Sequence, residues 1–179
     1  MTTRFSRWTL ALLVALVAVG MSFGSASAAP AKPPGGPKAE LALSRMYKAE
    51  QNRLKLQDAR LNRAVEYATK IDSLIAKLKT KGKNTAALEQ AVAAFRSGIA
   101  QARTEWQAAS ATLATHAGFD DAGKVSNADQ ARATLKNAHG HLEQANTIAR
   151  AAYEKLRAAV AAYRKANPEV AEPVAPLQP

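Results

Sequence analysis

His139-Gly140-His141 has the outward form of a metal-binding HxH pair. On a helix, however, residues two apart point about 200° apart around the axis, so a single ion would not meet both rings. By helical rise His116 falls roughly 20 Å from the level of His139 and does not complete a set. Asp120-Asp121-Ala122-Gly123 matches part of a calcium loop. With Gly123 as its sixth position, Gly118 stands where the first acidic ligand belongs and Asp129 where a bidentate Glu is preferred, so a helix-capping turn is the better reading. The chain has no cysteine, which removes disulfides, thiolate sites and thiol nucleophiles. It also has no GxSxG, no HExxH and no phosphate-cradling glycine loop. These observations predict no enzyme activity, no metal and no cofactor.

Charge is the chemistry that remains. The formal net charge is +11, from 25 Lys or Arg against 14 Asp or Glu. Residues 38–83 hold twelve basic against five acidic side chains, residues 84–123 two against four, and residues 124–167 eight against three. Positive charge is therefore concentrated in the first and last thirds of the domain. Lys77, Lys79, Lys81 and Lys83 form a tight group, and Arg157, Arg164 and Lys165 are expected at the same end of the fold. Such a patch suits anionic lipid, an anionic cell-wall polymer or acidic segments of a client protein. Nucleic acid matches the charge, but the N-terminal leader argues against it as a physiological partner.

That leader is Met1 to Ala28. Arg4 and Arg7 precede a continuous apolar run from Leu10 to Val19, and Ala26-Ser27-Ala28 supplies the small residues of a signal-peptidase site. The apolar stretch is shorter than the roughly 20 residues that span a bilayer, so cleavage after Ala28 is expected rather than anchoring. Residues 29–37 are a Pro/Gly-rich spacer, because proline lacks a donor and glycine favours turns. Residues 168–179 read as a disordered Pro-rich tail in which Pro173, Val174, Ala175 and Pro176 formally match PxxP. The domain between them is expected over residues 38–167.

The elements that must position the patch are three helices. From Ala128 through Ala131, Leu135, Ala138, Leu142, Ala145, Ala149, Ala152, Leu156, Ala159 and Tyr163 to Ala166, small or apolar residues recur in steps of three and four. That is the heptad rhythm of a helix keeping one seam against partners. A first helix is expected over 38–80, with Tyr47, Leu54, Leu61, Ala68 and Ile75 on one row and Leu43, Ala64, Ile71 and Leu78 on the other; Glu50 and Gln57 interrupt the second row. A second is expected over 85–117, with its seam from Leu88 through Phe95 and Trp106 to His116, and a third over 127–166. Gly82 provides a positive-φ stop, Asn84 or Thr85 a cap, and Ser126 with Asp129 a capping box. Short connections make neighbours antiparallel, so the fold class is all-α, a slim antiparallel three-helix bundle of coiled-coil character. Exchange of the third helix between chains is open to this pattern, and the oligomeric state is not specified by it.

Folding helices two and three back about residue 121 places residue n near residue 242 minus n. This brings Gly98 and Gly140 within about one turn of each other, which fits either a shared close contact or bend or two independently tolerated glycines. It also leaves the start of the first helix and the end of the third projecting beyond the second, so that Leu41, Leu43, Met46 and Tyr47 need cover from Phe119, Val125 or another molecule.

With its leader, its Lys/Ala/Leu-rich helices and the turn His-Ala-Gly-Phe-Asp-Asp-Ala-Gly-Lys-Val at 116–125, the chain resembles uncharacterised secreted bacterial helical-bundle proteins. A looser resemblance links it to basic periplasmic chaperones, without their LTxxQ-type repeats or strand-forming body. The first resemblance implies export and a helical fold; the second implies client capture by basic helices. Together with the charge they point to a non-enzymatic binding or structural role in the cell envelope, with a holdase-type chaperone as the alternative.

Overall fold

The computed structural model describes residues 36–168. The expected leader, most of the spacer and the Pro-rich tail beyond Pro168 lie outside the described residues. Three helices, α1 (Pro37–Thr80), α2 (Ala86–Ala114) and α3 (Ala128–Ala166), pack against one another as a bundle. They contain 44, 29 and 39 residues, or about 66, 44 and 58 Å at 1.5 Å per residue. Among the described residues no helix is long and apolar enough to cross a membrane.

The ends follow from local chemistry. Pro37 opens α1 instead of closing the spacer; its fixed φ and missing N–H suit the first helical position. At the other end Gly82 takes φ +71°. Its N–H donates to Lys79 O and that of Lys83 to Leu78 O, the Schellman pattern that satisfies the final carbonyls. Asn84 Oδ1 accepts from Ala86 N at the start of α2. That helix stops at Ala114, three residues before the expected 117, because His116 turns to φ 51° and Gly118 to φ +87°. His116 is consequently a connector residue and not a seam residue. The cap of α3 is Asn127, not Ser126: its side chain accepts from Asp129 N and Gln130 N.

Cross-helix partners fix the topology. Tyr47 pairs with Leu113, Leu54 with Trp106, Asp58 with Arg103 and Asp72 with Arg96, so α2 numbers fall as α1 numbers rise and the pair is antiparallel. Glu50 meets His139 and Gln57 meets Leu142, so α1 and α3 run parallel. Glu105 bonds His141, and Gly98 faces Ala152, pairs whose numbers sum to 246 and 250 instead of the expected 242. The shift of one to two turns arises because residues 117–119 lie back along α3: Thr134 Oγ1 donates to Ala117 O, and Gly118 sits against the backbone of Ala131. The start of α3, not its end, therefore overhangs α2.

That overhang explains why the core has two parts. In the loop-end part, Leu43 and Tyr47 pack with Leu113, Phe119, Ala128, Ala131, Leu135 and Ala138, and Val125 joins them. The Tyr47 and Phe119 rings stack with centroids 4.2 Å apart, so Phe119 and Val125 supply the cover expected of them. Leu41 and Met46 stay exposed. The other part is built from helix seams alone, around Leu61, Ile71, Leu78, Leu88, Phe95 and Leu156. Most of the expected seam is buried; Leu54, Trp106, Ala149, Ala159 and Tyr163 are half-buried, and His116 and Ala166 are exposed.

Candidate functional site

Between the two core parts lies a polar layer on the row that Glu50 and Gln57 interrupt. Gln57 is buried, and its Nε2 donates to Leu142 O at 3.3 Å. The Glu50 side chain is only 13 % exposed. Its Oε1 lies 2.8 Å from His139 Nδ1, while its Oε2 is buried without a hydrogen-bond partner among the described residues. The other ring nitrogen, His139 Nε2, is 3.2 Å from Glu143 Oε1, and Arg53 Nη1 is 3.0 Å from Nδ1. In the imidazolium form His139 donates to a carboxylate on each side; with Nδ1 unprotonated it accepts from Arg53 instead.

His141 bonds Glu105 Oε2 of α2 at 2.7 Å, so the two histidines serve different neighbours, as their angular separation on α3 predicts. His116 is closer to this layer than the expected 20 Å. It sits edge-on to Tyr47, only three residues along α1 from Glu50, or about 5 Å of rise. Its nearest charge is Asp121 at 4.0 Å. Among the described residues no group of three or more His, Cys, Asp or Glu is arranged to hold a metal ion. Asp120 Oδ1 accepts from Ala122 N and Lys124 N, which makes the acidic turn a self-bonded connector and not the expected helix cap, a role taken by Asn127.

The basic residues divide by groove. All four charged side chains of α2 are engaged: Arg96 with Asp72, Arg103 with Asp58 and Asn62, Glu89 with Lys79, and Glu105 with His141. The groove between α1 and α2, about 350 Å³ and lined by Asp72, Lys79, Glu89 and Arg96 beside Ile75 and Val92, is thereby nearly neutral. Of the predicted patch, Lys77 and Lys79 occupy the last turn of α1, Lys81 caps it and Lys83 follows. Arg164 and Lys165 occupy the last turn of α3, and the parallel course of α1 and α3 brings these two ends together. Arg157 stands two turns back on α3, exposed.

The patch is not uniformly available. Lys79 Nζ is 2.9 Å from Glu89 Oε2. The Glu89 carboxyl is held below its ordinary pKa by the Thr85 hydroxyl first and by Lys79 second. Arg164 lies near Tyr67, whose phenol is pushed up by burial and partly drawn back by that guanidinium.

The groove between α1 and α3 has a different character. A cleft of about 240 Å³ is lined by Arg53, Leu56, Gln57, Arg60 and Asn146, without a carboxylate. Farther along the same pair of helices, Arg63 and Arg164 lie in the electrostatic range of Tyr153 and Tyr67. Sequence reading passed over Arg53 and Arg60. Their seven-residue spacing, three positions after Glu50 and Gln57 and one before Leu54 and Leu61 of the other row, is the signal that marks them, because a heptad interval beside a seam puts both on the flank of one groove. Trp106 is half-buried and donates from Nε1 to Leu54 O, a packing role in keeping with its seam position.

No known protein family, curated protein or solved structure matches this chain. The functional reading therefore rests on its own residues.

Proposed function

We propose that this is an exported, non-enzymatic helical protein that binds anionic components of the cell envelope, lipid or wall polymer, through its basic helix surfaces. Export rests on the leader at residues 1–28, and the antiparallel coiled-coil character rests on the heptad seams. The observation that carries the binding reading is the division of charge. The cations of α2 are matched by acids of α1, whereas Lys77, Lys81, Arg157 and Lys165 at the far end, and Arg60 and Lys70 along α1, have no acidic partner among the described residues. A competing physical role exists for part of the patch. Cations in the last turns of α1 and α3 offset the helix dipole, each worth about 0.3–1 kcal/mol, and this alone favours basic residues there.

Co-sedimentation of the purified protein with anionic vesicles separates the two. Binding that weakens as salt rises, and that is lost when Lys77, Lys79, Lys81 and Lys83 are all changed to Gln, supports the reading. Vesicle-independent sedimentation of the native protein at low salt counts against lipid and leaves wall polymer to be tried in the same format. The second reading, a holdase for unfolded or acidic clients, draws on Leu41, Met46, Leu56 and Val65, all more than half exposed on the basic α1. Suppression of client aggregation near stoichiometric ratio, without vesicle binding, favours it.

A further inference from the structure

We infer that the cleft between α1 and α3 at Arg53, Arg60, Gln57 and Asn146 is a discrete binding site for a phosphate ester. The inference rests on the envelope-binding reading and names its ligand group. Arg53 and Arg60 lie two turns apart on one flank of α1, about 10.5 Å along the axis, with Gln57 between them and Asn146 facing from α3. None of these side chains is a carboxylate; the two guanidinium groups and the Asn146 amide carry N–H donors, and Gln57 already gives one of its own to Leu142 O. Such a lining suits an acceptor-rich anion, and guanidinium groups match the paired oxygens of phosphate.

The two arginines are not equivalent. Arg53 is steadied from behind by Glu50 at 3.8 Å and by His139 at 3.0 Å, so one donor group is already oriented. Arg60 makes no ion pair or side-chain hydrogen bond among the described residues and is free to close on a ligand. Of the acids near the cleft, Glu50 offsets Arg53 in part and Asp58 is held by Arg103 on the α2 side, which leaves Arg60 as the uncompensated cation. Leu56, 62 % exposed at the lip, adds an apolar edge beside the guanidinium groups. A volume of about 240 Å³ exceeds the needs of a bare phosphate and leaves space for a glycerol-sized alcohol on the ester. Shared by anionic lipid headgroups and phosphodiester wall polymers, this chemistry is the property by which either would be recognised.

The test is titration of isotope-labelled protein with glycerol 3-phosphate, followed by backbone amide shifts. Saturable shifts centred on residues 53–60 and 146, at least tenfold weaker in Arg60→Gln and absent in Arg53→Gln/Arg60→Gln, are expected. Arg60 has no ion pair or side-chain hydrogen bond among the described residues, so an unchanged melting curve for Arg60→Gln separates lost binding from lost folding. Anionic vesicles distinguish the source: lipid is implicated when Arg60→Gln also loses vesicle binding, and a free or polymeric phosphate ester when vesicle binding persists. Absence of saturable shifts in the native protein, or shifts unaffected by Arg60→Gln, overturns the site. Vesicle binding through the four lysines would survive that result, so failure here is distinct from failure of the broader reading.

Discussion

The two parts of the core solve the same problem with different means. In the part around Phe95 three helices are present, and Leu61, Ile71, Leu88, Ile99 and Leu156 close it by seam packing alone. In the part around Tyr47, α2 contributes only its last turn at Leu113, and beyond it the connection at 115–127 takes its place with Phe119, Val125 and its own backbone. A heptad pattern is enough where every helix continues. Where one stops, closure depends on glycine geometry and on single polar contacts, such as Tyr47 Oη to Leu113 O at 2.9 Å. The basic end belongs to the first kind and keeps an open outer surface; the loop end belongs to the second and is closed over.

The largest break of this comparison comes from Gly118→Ala. A Cβ at that position would lie 2.1 Å from Ala131 N, on a backbone at φ +87°. Strain and overpacking together cost on the order of 3 kcal/mol, read as a lower midpoint in urea. Hydrogen exchange should accelerate first at 113–135 while the Phe95 region remains protected. Equal acceleration at both ends would mean that the two parts unfold as one unit, and the distinction would then be one of construction only.

Next in size is a contrast between two helical glycines. The expected coincidence of Gly98 and Gly140 does not occur. Gly98 faces Ala152, with a would-be Cβ 2.7 Å from that residue's Cβ, whereas nothing lies within 4 Å of a Cβ at Gly140. Gly98→Ala should therefore lose about 1–2 kcal/mol net, since overpacking outweighs a propensity gain of about 1 kcal/mol. Adding Ala152→Gly should restore most of the loss. Gly140→Ala should instead gain about 1 kcal/mol. Thermal melts of the three variants decide the matter, and a stable Gly98→Ala single variant would remove close packing as the reason for that glycine.

These glycines also mark where sequence reading stops. The seams of all three helices, their number and the stop at Gly82 are legible because they depend on local periodicity and one backbone requirement. The level of α3 against α2 is not legible, because it depends on how residues 117–119 fold back onto Ala131 and Thr134. No local pattern encodes that contact. For the same reason the lysine group at 77–83 is readable as a cluster along the chain, whereas the Arg53/Arg60 cleft needs Asn146 from a helix some ninety positions away. Glu50 and Gln57 are visible as interruptions of the seam, but His139 as the partner of Glu50 is not.

Glu50 tests whether the polar layer truly divides the core. Its Oε2 is buried and has no partner among the described residues, while its partners His139 and Arg53 are 46 % and 42 % exposed at the side chain and can hydrate when released. Glu50→Leu should therefore raise stability by about 1 kcal/mol, since a buried ion pair replaced by apolar packing is often neutral or stabilising. A loss of similar size would show the Glu50, His139 and Arg53 cluster to be net favourable and the division of the core to be an active feature of the fold.

The smallest effects appear only at the extremes of pH, and they too distinguish the ends. Tyr47 at the loop end and Tyr67 and Tyr153 in the other part have phenols raised above 10.0, chiefly by burial. The unfolded chain ionises first, so their contribution is intact below pH 10 and declines as pH climbs through the raised folded values. Glu89 behaves in the opposite sense. Lowered from 4.5 by Thr85 and then Lys79, it contributes above its ordinary value, and that contribution disappears as pH falls through the depressed one. Acid should therefore relax the α1–α2 turn at the basic end and leave Tyr47 in place, whereas alkali should loosen both parts. Tyr47→Phe should cost about 1 kcal/mol at neutral pH through the lost bond to Leu113 O and should shallow the alkaline decline. If the decline keeps its full slope in that variant, the Tyr47 phenol is not what alkali titrates, and the loop end owes its closure to the Phe119 stack rather than to the hydroxyl.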